Sequence, residues 1–306
     1  MKILNFGSLN LDNTYIVDHF VQPGETMTSI RLENACGGKG TNQSIALAKA
    51  GAEVYHAGRI GTDGGVLRDL LNANGVDTRF LKTVDNEKTG HAIIQVNQEG
   101  QNCIILYKGS NYSFTNDDVD EILSAFEPGD IMILQNETSC VEYAIEAAAK
   151  RGLKVALNPS PMTPELAASP AMKYVTWFIL NELEGAAIAG KEKGADICAE
   201  LLAKFPGCKV MLTLGKDGCV YSDGEQTIRH GIFKVKAVDT TAAGDTFAGF
   251  FLGGVAQGKP MEEILRTASK ASAIAVSRPG AAPSIPTLEE VMNTELELNP
   301  DYDPNR

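Results

Sequence analysis

The 306-residue sequence lacks long apolar runs, and this absence argues against a membrane protein. No run reaches roughly 18 consecutive apolar residues, whereas a helix that crosses a bilayer needs about 20. The beginning, MKILNFGSLN, also lacks the charged and then apolar pattern of a secretory leader. We therefore expect a cytoplasmic protein without a membrane partner.

Metal-ligating cysteine pairs and an excess of basic residues are missing as well. The six cysteines form no CxxC pair and have no histidine at metal-ligand spacing, which favours reduced, mostly buried thiols over a zinc site. Only Cys36, beside a glycine cluster, is a candidate for an exposed thiol. With 27 Lys and Arg against 39 Asp and Glu, the net charge is −12, which disfavours nucleic-acid binding because that binding needs a basic face. A small-molecule partner is favoured by elimination.

Most of the chain alternates short apolar strand patterns with amphipathic helix patterns. Alternation of this kind predicts parallel βαβ units, and hence an α/β fold with a doubly wound, mostly parallel sheet covered by helices on both faces. We expect antiparallel strands at 219–221 and 227–233, and a frayed polar end after Asn293. The predicted strands are 2–7, 54–60, 131–134, 154–157, 175–180 and 209–214, and the predicted helices are 66–73, 116–126, 141–149, 197–205, 244–257 and 261–276.

Three segments do not follow this alternation of strand and helix patterns. They have alternating polarity and lie at 26–33, 91–97 and 102–108. The last two flank Gln98-Glu99-Gly100, a plausible hairpin turn. We interpret the segments as a small β-sheet inserted at about 13–35 and 90–112 into a single domain that spans 1–306. This sheet is a lid over a site, a dimerisation surface, or simply a set of extra edge strands. Ile30, Ile94 and Ile105 are apolar on these short strands, which predicts a homodimer through the lid.

The stretch VDTTAAGDTF at 238–247 precedes a long apolar helix pattern. Small residues at Ala242, Ala243 and Gly244 let the backbone approach a ligand, and a helix N-terminus offers N–H donors to an anion. Asp245 in the first turn is open to two interpretations. It is either a helix-capping carboxylate or a general base beside an anion hole for a transferred phosphoryl group.

A second glycine-rich stretch, GGKGTN at 37–42, precedes a small-residue helix pattern. It does not match the GxxxxGK(S/T) spacing of a P-loop, and the chain has no GxGxxG. We interpret it as a close approach of Gly38, Lys39 and Asn42 to a neutral, hydroxyl-rich ligand; the alternative is an ordinary glycine-rich helix entry. Asn10 and Asp12, at alternate positions after the first strand, could reach the same polyol or could be turn formers.

Polar residues also follow three other predicted strands. Glu137 could bind a hydroxyl, and Asn181 with Glu184 at i, i+3 could hold water molecules around Mg²⁺ near phosphates. The turn TLGKDG at 213–218, which contains two glycines, could lie against the phosphates or the base of a nucleotide. Each motif alone is typical of a cap or a turn, but the carboxyl ends of one parallel sheet are where ligands bind.

Taken together, these motifs resemble those of the ribokinase family of carbohydrate kinases (PfkB type), whose order the chain follows from about Lys2 to Pro286. The resemblance implies ATP-dependent phosphorylation of a sugar primary hydroxyl with Mg²⁺ and K⁺. The presence of Lys39 favours the members of this family that convert D-ribose to ribose 5-phosphate. Two departures could reshape the sugar pocket: Asn13 follows Asp12 where a histidine is usual, and Asn136 precedes Glu137.

The resemblance also assigns site residues. The catalytic residues are Asp245, Gly244, Ala243 and Ala242; the sugar-binding residues are Asn10, Asp12, Gly38, Lys39, Asn42, Glu137 and Asp245. The nucleotide-binding residues are Asn181, Glu184, Thr213, Gly215, Gly218, Gly244 and Ser269, and the potassium site is formed by Asp239, Thr241, Ala275, Arg278, Gly280 and Ser284.

Two alternatives remain beside this interpretation. One is a kinase for another sugar or a nucleoside on the same fold. The other is a non-catalytic sugar-binding regulator, because fold does not fix function. The joint presence of Asp245, Asn181 and Glu184 argues against a regulator, and the missing GxGxxG disfavours a nicotinamide oxidoreductase.

Overall fold

The structure, a computed structural model, describes residues 1–299. The strands are β1 (Ile3–Phe6), β2 (Asn10–Ile16), β3 (Arg31–Gly37), β4 (Val54–Gly61), β5 (Asp77–Val84), β6 (Gly90–Val96), β7 (Asn102–Tyr107), β8 (Ile131–Gln135), β9 (Lys154–Asn158), β10 (Trp177–Asn181), β11 (Lys209–Thr213), β12 (Cys219–Ser222) and β13 (Thr227–His230). The helices are α1 (Lys39–Lys49), α2 (Gly65–Ala73), α3 (Asn116–Leu123), α4 (Val141–Lys150), α5 (Pro164–Ala167), α6 (Glu182–Ala189), α7 (Gly194–Lys204), α8 (Ala243–Ala256), α9 (Met261–Val276) and α10 (Leu288–Asn293). None of these helices is long and apolar enough to cross a bilayer.

Nine strands form the main sheet in the order β13-β12-β11-β10-β9-β8-β1-β4-β5. The seven strands from β11 to β5 in that order are parallel, and β12 and β13 add an antiparallel edge. The predicted mostly parallel α/β sheet is therefore confirmed. Because parallel neighbours end at the same edge, the polar residues that follow β8, β9, β10 and β11 come together there.

Two apolar cores cover the two faces of this sheet, as strand periodicity requires. Successive residues of β1 separate between them: Ile3 belongs to the core under α1, α2, α8 and α9, whereas Leu4 belongs to the core under α3, α4 and α7. The central strands are buried on both sides, which is why their sequences are short continuous apolar runs.

A separate four-stranded sheet has the order β3-β2-β6-β7. The turn between β6 and β7 is the predicted one, since Gly100 N–H donates to Asn97 O at 3.0 Å and Gly100 has φ 76°. The strand expected at 26–33 forms instead at Arg31–Gly37, because β3 pairs with the whole of β2 up to Asn10 and Gly37. We call this four-stranded sheet the lid.

Two further expectations differ from the structure. Residues 294–299 are not frayed, because Lys234 N–H donates to Glu297 O at 2.8 Å and Phe233 pairs with Leu298; the rest of the predicted frayed end, 300–306, lies outside the described residues. Cys103, on the lid, is the exposed thiol, whereas Cys36 is half-buried. Burial, and then the charge of Asp12, raise the pKa of the Cys36 thiol, so its chemical environment disfavours a thiolate.

Candidate active site

Asp245 lies in the first turn of α8, but its carboxylate does not cap that helix. Asn42 Nδ2 donates to Asp245 Oδ2 at 3.1 Å and Gln43 Nε2 donates to Asp245 Oδ1 at 2.9 Å, so the side chain is held by α1. Asp245 is 8% exposed and faces the cleft described next. Of the two interpretations of Asp245, the geometry favours the general base over the cap.

The backbone before Asp245 is shaped to expose donors. Ala242 adopts the left-handed conformation with φ 60° and ψ 10°, which costs a residue with a Cβ of order 1 kcal/mol. Ala243 N–H donates to Thr240 O at 3.2 Å, so it is already engaged. The N–H groups of Gly244 and Asp245 have no acceptor within residues 1–299, which leaves two donors at the positive end of the helix.

A cleft of about 210 Å³ opens in front of these donors. The carboxyl ends of three neighbouring strands form its wall with Asn158, Asn181 and Thr213. Of the predicted residues, those that line this cleft are Lys39, Asn181, Glu184, Thr213, Ala242, Ala243, Gly244 and Asp245. Two glycines of the predicted nucleotide turn, Gly215 and Gly218, are not in its lining.

The start of α1 packs tightly against the loop after β1. Gly38 has φ 94°, which disfavours any residue with a side chain. A Cβ on Gly40 would lie 2.4 Å from Ser8 N, so only glycine allows this approach. The glycines of the GGKGTN stretch therefore fix α1 against the strand end, and this contact directs Lys39 and Asn42 toward the cleft and Asp245.

The predicted sugar residues gather between β2, the start of α1 and the loop after β8. Glu137 accepts hydrogen bonds from the Ser8 hydroxyl and, at 3.4 Å, from Lys39 N–H. Asn10 Oδ1 accepts from Asn111 Nδ2 at 2.9 Å, and Asn10 and Glu137 line a second cavity of about 70 Å³ under Leu106 of the lid. The lid thus covers this group of polar side chains.

Two carboxyl groups of this region have raised pKa values. Burial, followed by the charge of Glu137, raises the pKa of Asp12 to about 6. Burial is also the main cause of the raised pKa of Glu137, and the charge of Asp245 adds to it. Partly desolvated carboxyl groups are suited to accept hydrogen bonds from several hydroxyl groups, and Glu137 lines the cavity under the lid.

A buried atom of Asn42 also fits a hydroxyl-bearing ligand. Its Nδ2 is used by Asp245, but its Oδ1 is buried and has no protein partner within residues 1–299. A buried acceptor without a donor is costly. A ligand hydroxyl that reaches both Asn42 Oδ1 and Asp245 would satisfy it.

On the opposite side of the cleft, Asn181 and Glu184 form a capping box at the start of α6. Glu184 N–H donates to Asn181 Oδ1 at 2.9 Å, and Asn181 N–H donates to Glu184 Oε2 at 3.0 Å. The cap interpretation of this pair is therefore correct, but Glu184 also lines the cleft and its Oε1 is not part of the box. Ser269 lies outside the cleft, 3.8 Å from Cys219 Sγ at the start of β12.

The Asp239 carboxylate links two parts of the chain that are expected to bind K⁺, the turn at Thr241 and the loop at Gly280. The carboxylate accepts from Thr241 N–H at 2.9 Å, from Thr241 Oγ1 at 2.6 Å and from Gly280 N–H at 2.9 Å. Ala275 O accepts from Arg278 N–H at 3.1 Å, and the Arg278 side chain forms an ion pair with Glu290. Ser284 Oγ donates to Ala281 O at 2.7 Å. Asp239, Thr241 and Gly280 are thus brought into direct contact, behind the residues that start α8.

Sequence reasoning missed several polar residues of the site. Asn158 ends β9 and lines the cleft, Gln43 holds Asp245, and Ser8 binds Glu137. Asn158 had a detectable signal, because it is a polar residue directly after a buried apolar strand, like Asn181. Gln43 follows Asn42 in the sequence, but only the packing of α1 on α8 shows that both reach the same carboxylate.

The whole chain has relatives among known proteins. The model of the pfkB family of carbohydrate kinases matches residues 1–288. A ribokinase from Haemophilus influenzae is 37% identical over 295 residues, covering 94% of this chain and 95% of that protein. A solved ribokinase from Cryptococcus neoformans in complex with ADP has a TM-score of 0.83 at 33% identity, covering 95% of this chain and 98% of its own. A ribokinase from Arabidopsis thaliana complexed with ribose and ATP has a TM-score of 0.84 at 30% identity, covering 95% and 97%.

Proposed function

The chain belongs to the pfkB family of carbohydrate kinases and is an ATP-dependent sugar kinase, and from this premise we propose that it converts D-ribose to ribose 5-phosphate. The observation that carries the proposal is the position of Asp245. Its carboxylate faces the cleft directly beside the two unengaged N–H groups at the start of α8. A base and an anion-binding backbone are thereby joined in one helical turn.

In this proposal Asp245 accepts the proton of the sugar primary hydroxyl, whose oxygen then attacks the γ-phosphorus of ATP. ADP leaves as the phosphorus–oxygen bond to it breaks. The N–H groups of Gly244 and Asp245 stabilise the charge on the transferred phosphoryl group. The small residues Ala242 and Ala243 allow the phosphate to approach the backbone.

The sugar binds between the lid and the start of α1, with Asn10, Asp12, Asn42 and Glu137 as its hydrogen-bonding partners. Four side chains of this kind, two of them carboxylates, suit a ligand with several adjacent hydroxyl groups. We propose that the lid is an insertion in one kinase domain and that it excludes water from the phosphoryl group, which limits hydrolysis of ATP.

Mg²⁺ would accompany ATP as part of the substrate. The charge of the cleft supports this, because two carboxylates, Glu184 and Asp245, line it with a single cationic side chain, Lys39. A triphosphate in this cleft therefore needs a further cation. Glu184, with one oxygen outside the capping box, and Asn181 are the residues that would hold water molecules of the ion.

K⁺ would bind at the Asp239 loop. Asp239, Thr241 and Gly280 are already linked by hydrogen bonds, and backbone carbonyls around Ala275, Arg278 and Ser284 are the ligand type that a large, weakly bound cation takes. A cation there would order the turn that presents the N–H groups of Gly244 and Asp245.

A coupled assay of ADP release across pentoses, hexoses and nucleosides tests the function. We expect ribose to have the highest kcat/KM, and we expect the rate to fall when K⁺ is replaced by tetramethylammonium. Preference for a nucleoside or another sugar would refute ribose as the substrate. Sugar binding in calorimetry without ADP release from any substrate would favour the non-catalytic regulator instead.

A further inference from the structure

A network of buried amide side chains lies beneath the carboxylate of Asp245. Its central member is Gln43, which is 0% exposed and contributes to the lining of neither cavity of the site. Gln43 Nε2 donates to Asp245 Oδ1 at 2.9 Å and to Asn158 Oδ1 at 2.9 Å. One amide nitrogen thus connects Asp245 to the end of strand β9.

The remaining bonds of the network fix the orientation of the Gln43 amide. Gln135 Nε2 donates to Gln43 Oε1 at 2.7 Å, and Asn158 Nδ2 donates to Ile179 O at 2.9 Å, which leaves Asn158 Oδ1 as the acceptor. If the Gln43 amide were flipped, its oxygen would face two acceptors and its nitrogen would face a donor. Gln43 therefore presents a donor to Asp245 in the only arrangement that satisfies all its polar atoms.

A donor fixed in this way acts on both the charge and the position of the carboxylate. A hydrogen bond to the charged form of a carboxyl group favours that form. With Gln43 on Oδ1 and Asn42 on Oδ2, the plane of the Asp245 carboxyl group is also fixed relative to the start of α8. A base that is ionised and already oriented needs no rearrangement when the hydroxyl approaches.

We propose that Gln43 is a positioning residue for phosphoryl transfer, which holds the Asp245 carboxylate oriented from the side opposite the substrates. This role rests on the proposed kinase function. Because the Gln43 side chain lines neither cavity and reaches the cleft only through Asp245 and Asn158, we expect a larger effect on the catalytic step than on the binding of sugar or ATP.

The decisive variant is Gln43→Met, which preserves the length and approximate volume of the side chain and removes both donors. Hydrogen bonds to charged groups correspond to roughly 10- to 100-fold in an equilibrium, so we expect kcat to fall by about 10-fold or more with sugar and ATP KM values within about 3-fold of wild type.

The matched control is Ser44→Ala, on the same helix and equally buried. Ser44 Oγ contacts Asn5 and His56, and it reaches Gln43 only through Asn5 and Gln135, so this variant loses buried hydrogen bonds of the same kind while both donors to the Asp245 carboxylate stay in place. Its kcat should remain near that of the wild type. Gln43→Asn, which retains the amide but is one methylene too short to bridge Asp245 and Asn158, provides the same test if the methionine variant does not fold.

Melting temperatures confirm that the compared variants are folded. A folded Gln43 variant with wild-type kcat would overturn the proposal, and so would an equal fall of kcat in Ser44→Ala. The same assay separates this failure from failure of the proposed function, because in the latter case the wild type itself would release no ADP with any sugar, and the positioning role would fall with it.

Discussion

At the residue scale, the site is governed by how each carboxylate is surrounded. Asp245 receives two hydrogen bonds from α1, whereas Asp12 and Glu137 lie close to each other in a partly desolvated pocket under the lid. The two hydrogen bonds hold the Asp245 carboxylate in place, whereas burial disfavours the charged forms of Asp12 and Glu137. Different behaviour is therefore expected from conservative substitutions at Asp245 and Asp12.

Asp245→Asn should abolish turnover and leave the fold intact. An asparagine fits the same space, and the Asn42 amide can rotate because its Oδ1 is unpartnered within residues 1–299 and can accept from the new NH₂ group. The amide cannot accept the hydroxyl proton, and general-base catalysis typically contributes about 10²- to 10⁴-fold to the rate. Steady-state rates at saturating ATP and sugar, with melting temperature as the folding control, measure the effect. A folded variant that retains more than about a tenth of the wild-type rate would exclude the general-base role.

Asp12→Asn should stabilise the protein at neutral pH while weakening sugar binding. The pKa of Asp12 in the folded protein is about 6, above its usual 3.8, so the folded state binds this proton more tightly than the unfolded state does. Ionised Asp12 therefore destabilises the fold above about pH 6, and this destabilisation disappears as the pH falls through the interval from 6 to 3.8.

Melting temperatures measured between pH 4 and pH 8 check this prediction. The gain of Asp12→Asn over wild type should be largest at pH 8 and should vanish toward pH 4. The sugar KM should rise by about 10-fold or more, since hydrogen bonds to a charged acceptor are lost. In the wild type the sugar KM should rise as the pH falls below 6. A variant less stable than wild type at pH 8 would contradict the assigned environment of Asp12.

At the element scale, strand ends and helix starts explain both the accuracy and the errors of sequence-based prediction. The ends of β8, β10 and β11 were predictable because each apolar strand ends on a polar residue, Gln135, Asn181 or Thr213. Strand β2 was not recognised as a strand because Asn10–Ile16 is polar at most positions, and its pairing partners β3 and β6 are distant in sequence. Strand β5 was missed because it is an edge strand with several exposed positions, which weakens its apolar pattern.

The capping box at the start of α6 offers a way to separate a structural role from a catalytic one. Glutamine serves in the N3 position of a capping box as glutamate does, so Glu184→Gln should preserve the melting temperature. Glu184→Ala removes one of the two hydrogen bonds of the box and should cost about 0.5 to 1.5 kcal/mol of stability. If Glu184 also holds water molecules of Mg²⁺, both variants should require more Mg²⁺ for half-maximal rate. A Mg²⁺ dependence in Glu184→Gln equal to wild type would leave Glu184 with the cap alone.

At the scale of the whole molecule, the lid has two unlike faces. Paired residues of a sheet share a face and successive residues alternate, so Asp12, Ala92 and Leu106 lie on the face toward the sugar residues. By the same registers Ile93 and Ile105 lie on the opposite face, where they are 38% and 62% exposed. Ile30, at the end of the loop before β3, is 64% exposed. Ile94 alternates with Ala92 and pairs with Ile104, so it lies on the face toward the sugar residues and, contrary to expectation, does not contribute to the outward face. An outward apolar face on a thin sheet is unfavourable in water unless another surface covers it.

We therefore predict a homodimer in which the outward faces of two lids cover each other. Light scattering at micromolar concentration should give twice the chain mass of 32.7 kDa for the wild type. Ile105→Lys places a charge in the proposed interface and should shift the mass toward the monomer. Because Ile105 points away from Asp12, any loss of activity would come from loss of the dimer and not from direct contact with the sugar.

The matched control is Val66→Lys on α2, an equally simple change at a residue that is 52% exposed outside the lid, and it should remain dimeric. A wild-type protein that is monomeric at micromolar concentration and fully active would show that the lid needs no second copy.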